Sequence, residues 1–91
     1  MQQPLKSLRS SFLFIIYRMK AETTIIEIIS THMRLHPTEV THETNLNWNL
    51  MSEINNDVCF ALLTNINTMD ALTCKNVGQY LLLVTNKLIS K

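Results

Sequence analysis

Residues Ile25 to Ile54 read IIEIISTHMRLHPTEVTHETNLNWNLMSEI, and this stretch decides the fold. Ile25, Ile28, Ile29 and Met33 recur at the three-and-four spacing that lines one face of a helix. Leu35 and Pro37 follow. Proline supplies no amide and biases the residue before it, His36, out of the helical region. The spacing therefore predicts a first helix over about 21–35 that Pro37 ends, with Glu22, Glu27 and Arg34 outward. Thr24 and Glu27 also match a capping box, which allows a start as late as Ile25. Residues 37–52 read as a long polar loop pinned by Val40, Leu46, Trp48 and Leu50, with Trp48 expected to cover one end of the bundle.

Outward from that stretch the pattern stays helical. Val58, Ala61, Leu62 and Ile66 predict a second helix over 53–66, broken by Asn65-Ile66-Asn67-Thr68. Val77, Tyr80, Leu81, Val84 and Leu88 predict a last helix over 76–89. The fold class expected is all-α: a small bundle of three main helices with a long loop after the first.

Composition agrees. The chain has 91 residues, 46% hydrophobic and 16% charged, enough for one small core. One glycine and two prolines supply few tight turns, which argues against an all-β domain. Asn, Thr and Ile are abundant and are weak helix formers, so packing must hold the helices. A formal charge of +1 with scattered Lys and Arg gives no footprint for nucleic acid. Cys59 and Cys74 share no metal-type or redox spacing and read as free thiols, consistent with a cytoplasmic location.

Residues 1–18 differ from the rest. Lys6, Arg9 and Arg18 flank the apolar run Phe12 to Tyr17, which is far short of the ~20 residues needed to span a bilayer. The segment reads as an appendage or as sequence upstream of the true start, with residues 19–91 forming the domain. Contact of Phe12–Tyr17 with a membrane surface is the functional alternative.

The order of these features resembles the first half of an acyl carrier protein: a helix, a hydrophobic exit, the Val40-Thr41 step, and a loop with large apolar residues leading to a second helix. Asn76-Val77-Gly78-Gln79 resembles the Thr-Val-Gly step that opens the family's last helix. The resemblance spans about Ala21 to Leu88, with a stretch before Asn76 shorter than usual, so the short third helix is expected to be reduced or missing. It implies a phosphopantetheine arm on the serine of an Asp-Ser-Leu triplet opening the second helix. Laid on without gaps, that triplet falls on Glu53-Ile54-Asn55.

Ile54 thus occupies the attachment position and offers no hydroxyl, and it is expected to cap the core. Ser52 is the nearest hydroxyl, either a helix N-cap or, if the loop is shorter than in the family, an attachment point; phosphopantetheine is the cofactor only in that case. The resemblance also implies docking of acyl-transfer or fatty-acid-type enzymes along the second helix, where Glu53 and Asp57 are the acidic residues. From Met19 onward seven acidic residues face five Lys/Arg, a net of −2, which is mild. His32, His36 and His42 read as solvated residues rather than metal ligands, and Cys59 as a small core or flanking residue. No nucleophile–base order or phosphate-cradling loop can be assembled. The function expected is a carrier-like, non-enzymatic module without an arm. The alternatives are a working carrier modified on Ser52 and an unrelated small helical interaction protein.

Overall fold

The computed structural model of the protein describes residues 19–89, and the readings of residues 1–18 lie outside it. Among the described residues the chain is all-helical, without strands. Helix α1 covers 19–33, a 3-10 turn covers Pro37–Glu39, and α2 covers Trp48–Leu62. Helix α3 is the short Thr68–Leu72 and α4 is Val77–Ile89, so a short third helix is present.

Helix α1 buries Ala21, Ile25 and Ile29, one residue per turn, while Ile28 and Met33 are half-buried at the core's edge. Its hydroxyls bond back along the helix: Thr23 to the Met19 carbonyl, Ser30 and Thr31 to the Glu27 carbonyl. Thr24 lies inside the helix and caps nothing. The helix ends before the proline. Arg34 turns left-handed (φ 58°), and the Leu35 amide closes back on the Ser30 carbonyl at 2.9 Å. Pro37 instead opens the 3-10 turn, where its missing amide costs nothing. His36 caps that turn: its Nδ1 accepts from the Thr38 amide, and Glu39 Oε1 accepts from the His36 amide.

The loop that follows is stitched to the start of α4. The Leu46 amide donates to Lys75, the Val77 amide to Thr44, and the Gly78 amide to His42 at 2.8 Å. The last two bonds satisfy the first two amides of α4, which have no partner within the helix. The chain's single glycine eases the approach: a Cβ on Gly78 would lie 3.1 Å from the His42 carbonyl oxygen, a tight contact. Val40 is the loop's buried anchor, and Leu46 and Leu50 are half-buried.

Helix α2 departs from the sequence expectation in its frame. It begins five residues earlier than 53, because Asn47 caps it: Asn47 Oδ1 accepts from the Asn49 amide at 3.0 Å. Its buried stripe is Met51, Ile54, Asn55 and Val58. It ends at Leu62 because Leu63 turns left-handed (φ 52°) and the Thr64 amide bonds back to Cys59. Ile66 is buried as expected, but from the connecting loop, and Ala61 faces out. Contrary to expectation, Trp48 does not cover an end of the bundle. It is the first residue of α2 and 70% exposed.

Asn67 caps α3 through the Met69 amide, and Ala71 enters the core. Helix α4 buries Val77, Tyr80, Leu81, Val84 and Thr85, an i, i+3, i+4, i+7, i+8 face. One polar chain crosses the core. Tyr80 Oη donates to Asn55 Oδ1 at 2.8 Å, and Asn55 Nδ2 donates to the Ile66 carbonyl at 2.9 Å. It ties α4, α2 and the α2–α3 connection together through satisfied buried groups.

Candidate functional site

The earlier start of α2 changes what each sequence-derived site residue can do. Ile54 is the seventh residue of α2 and fully buried, packed in the core with Ile25, Ile29 and Val84. Its side chain is part of the core and stands nearly two turns from the helix mouth. Ser52 is exposed and lies in the second turn, so it is not the N-cap; Asn47 is. The amides at the start of α2, with their partial positive charge, face the triplet Asn47-Trp48-Asn49. A phosphopantetheine arm needs a hydroxyl at such an exposed helix start, and this triplet has none. The residues at the mouth of α2 do not fit the group.

The outward face of α2 carries Trp48, Asn49, Ser52, Glu53, Asn56, Asp57, Phe60 and Ala61. Phe60 is 84% exposed, and Leu63, just past the helix, 83%. Both are large apolar side chains left exposed, one in the last turn of α2 and one just past it. Sequence reading missed both. Phe60 lies two positions from Val58 and from Leu62, and a two-residue step on a helix turns about 200°, so inward neighbours send it outward.

Glu53 and Asp57 are on the exposed face, as the sequence implies, but they are not alone. His32 of α1 sits against them, its Nε2 2.6 Å from Asp57 Oδ2 and its Nδ1 3.9 Å from Glu53 Oε2. His32 is therefore a bridge between α1 and α2 rather than a solvated side chain. His36 caps the 3-10 turn, and His42 lies exposed in the loop. The structure does not bring the three histidines together, and among the described residues no group of three His, Cys, Asp or Glu could hold a metal ion.

Both cysteines are free and half-buried. Cys59 Sγ accepts from the Ile66 amide at 3.3 Å, so it helps close the α2–α3 connection. Burial, and then the nearby Asp70 carboxylate, push the Cys74 thiol up. Burial is also the main reason the Tyr80 hydroxyl is pushed far above the ordinary tyrosine range, with the neighbouring Cys59 and Cys74 adding to it. Both groups are held in their neutral forms, which suits structure rather than nucleophilic chemistry.

The described residues define a small all-α domain with an aromatic-ended outer face on its second helix. No protein-family model, curated protein or solved structure matches the chain. No helix among the described residues is long and apolar enough to cross a membrane.

Proposed function

We propose that this protein is an acyl-carrier-like, non-enzymatic binding module that carries no phosphopantetheine arm and works by presenting α2 to a partner protein. The observation that carries the reading is the mouth of α2. The helix follows a loop anchored by Val40 and Leu46, as in the family that the sequence resembles, yet it opens on Asn47-Trp48-Asn49. Without a hydroxyl there, no phosphodiester can form at the place where a helix start stabilises it. The helix order also supports the reading: a long first helix, a long ordered loop, a second helix, a short third and a last helix. Partner contact falls to Trp48, Phe60 and Leu63, with Glu53 and Asp57 adding modest negative charge. Acyl-transfer or fatty-acid-type enzymes are the partner class that the resemblance implies. A working carrier modified on Ser52 remains the second reading, favoured by the exposure of that hydroxyl.

The test uses a promiscuous phosphopantetheinyl transferase with coenzyme A, read by intact mass. Wild type is expected to gain nothing. The triple variant Asn47→Asp, Trp48→Ser, Asn49→Leu restores the family triplet at the true start of α2 and is expected to gain one arm. An increment on wild type that disappears in Ser52→Ala would establish the working carrier instead. If the folded triple variant also stays unmodified, the carrier-like reading falls and an unrelated helical interaction protein takes its place.

A further inference from the structure

Glu53, Asp57 and Phe60 stand at positions i, i+4 and i+7 of α2, so they form one stripe along its outer face, with Leu63 just past the helix end. The stripe is graded. Two carboxylates come first, their side chains 71% and 53% exposed, and two large apolar residues follow, 84% and 83% exposed. The sequence that carries the stripe is of one sign. From Leu35 to Cys74 it holds Glu39, Glu43, Glu53, Asp57 and Asp70, and no Lys or Arg. A segment that brought cations to the carboxylates and apolar side chains to Phe60 would gain from both ends of the stripe.

The same chain contains such a segment. Residues 1–18 hold Lys6, Arg9 and Arg18 and no acidic residue, so they carry +3 where residues 35–74 carry −5, histidines counted neutral. The order matches as well: Lys6 and Arg9 come first, and the apolar run Phe12 to Tyr17 follows. We propose that residues 6–18 of this chain occupy the Glu53–Asp57–Phe60 stripe, so that a partner reaches α2 only by displacing them. The proposal rests on the reading of α2 as the partner face. Lys6 and Arg9 meet Glu53 and Asp57, and the apolar run covers Phe60 and Leu63.

The segment is long enough to arrive there. His32 of α1 touches Asp57 at 2.6 Å, which fixes where α1 meets the stripe. Met19, thirteen residues earlier on the same helix, stands about 20 Å along α1 from that level at the helical rise per residue. Extended chain gains about 3.4 Å per residue, so Phe12 reaches about 24 Å from Met19 and Lys6 about 45 Å. Because the segment is tethered to the domain, its contact with α2 is intramolecular, and a weak pairing is enough to populate it. The charged part of that pairing weakens with salt.

The experiment is carbodiimide crosslinking of the full chain, as an equal mixture of unlabelled and isotope-labelled protein, followed by peptide mass mapping. Carbodiimide joins a lysine to a carboxylate only where the two touch. Lys6 is expected to link to Glu53 or Asp57 of its own chain, in preference to Glu39 and Glu43, and the link should fade at high salt. In the double variant Phe60→Ser, Leu63→Ser its yield should fall severalfold. Should that variant fail to fold, the mapping of wild type decides alone. No Lys6 link to Glu53 or Asp57, equal linking to all four carboxylates, or an unchanged yield in the folded double variant overturns the proposal. So do links that join labelled to unlabelled chains, which make a second copy the occupant. The mapping depends neither on an arm nor on the carrier resemblance, so its failure and failure of the transferase test are separately visible.

Discussion

Replacing Ile54 with serine separates two frames for the second helix. If α2 began near residue 53, serine would stand at the helix mouth in water, and the exchange would cost little. In the structure Ile54 is fully buried with Ile25, Ile29, Met51, Val58 and Val84 in one core. Removing the aliphatic side chain from such a site costs about 2–5 kcal/mol. The new hydroxyl adds a penalty, which a bond back to the preceding turn partly offsets. A total of about 3–5 kcal/mol is expected. A domain of this size has only about 4–10 kcal/mol of net stability, so Ile54→Ser should sit near the edge of unfolding. Urea denaturation followed by far-UV circular dichroism is the assay, with the midpoint falling and the slope unchanged. Ser52→Ala is the control, exposed on the same helix and expected to stay within about 0.5 kcal/mol of wild type. An Ile54→Ser variant as stable as that control would refute both the burial of Ile54 and the placement of α2.

Asn47→Ala removes the α2 cap and should lower stability by about 1 kcal/mol in the same assay, whereas Asn47→Asp should be tolerated. Tyr80→Phe leaves the Asn55 carbonyl oxygen without its donor and should cost about 1–3 kcal/mol; with Asn55→Ala the losses should be less than additive. Tyr80 also fixes a pH dependence. Its hydroxyl is raised in the folded chain, so its contribution is complete below the ordinary tyrosine value and is lost as pH rises. Above about pH 10 the unfolded chain gives up a proton that the folded chain retains, and stability should fall by about 1.4 kcal/mol per pH unit. Comparing wild type with Tyr80→Phe across alkaline pH isolates that slope, and parallel curves would contradict it. Phe60→Ser should leave thermal stability within about 0.5 kcal/mol, since Phe60 is so exposed, while weakening capture of any α2-binding partner.

The first and last helices were legible because their apolar residues follow helical spacing, although the capping box at Thr24 and the stop at Pro37 did not mark the ends of α1. Ile25 and Ile29, and Val77, Tyr80, Leu81 and Val84, are all buried where the pattern puts them. Helix α2 was legible in kind but not in frame. Its first turn, Trp48-Asn49-Leu50, has the composition of a loop, and Asn47 is one of several asparagines equally able to cap. At the other end Leu62 and Ile66 continue the inward spacing although the helix has stopped, because the left-handed turn at Leu63 returns Ile66 to the same core. No periodic pattern contains that turn, since leucine seldom adopts it. The His32–Asp57 contact was out of reach for another reason. It joins residues 25 apart, and only the relative placement of α1 and α2 makes it.

The bonds between the loop after the 3-10 turn and the start of α4 bear on the order in which this chain can assemble. Segment 41–46 has no helix of its own, and its backbone partners on Lys75, Val77 and Gly78 lie roughly thirty positions further along. Closing so long a stretch of unstructured chain is entropically expensive, but prior formation of α2 and α3 shortens the span that must be searched. The loop can therefore set only when α4 docks, and it must come loose when α4 leaves. Segment 41–46 and the start of α4 are therefore expected to open together, with amide exchange at Leu46 and Gly78 showing the same opening free energy. The mouth of α2, which begins directly after Leu46, inherits its position from the far end of the chain.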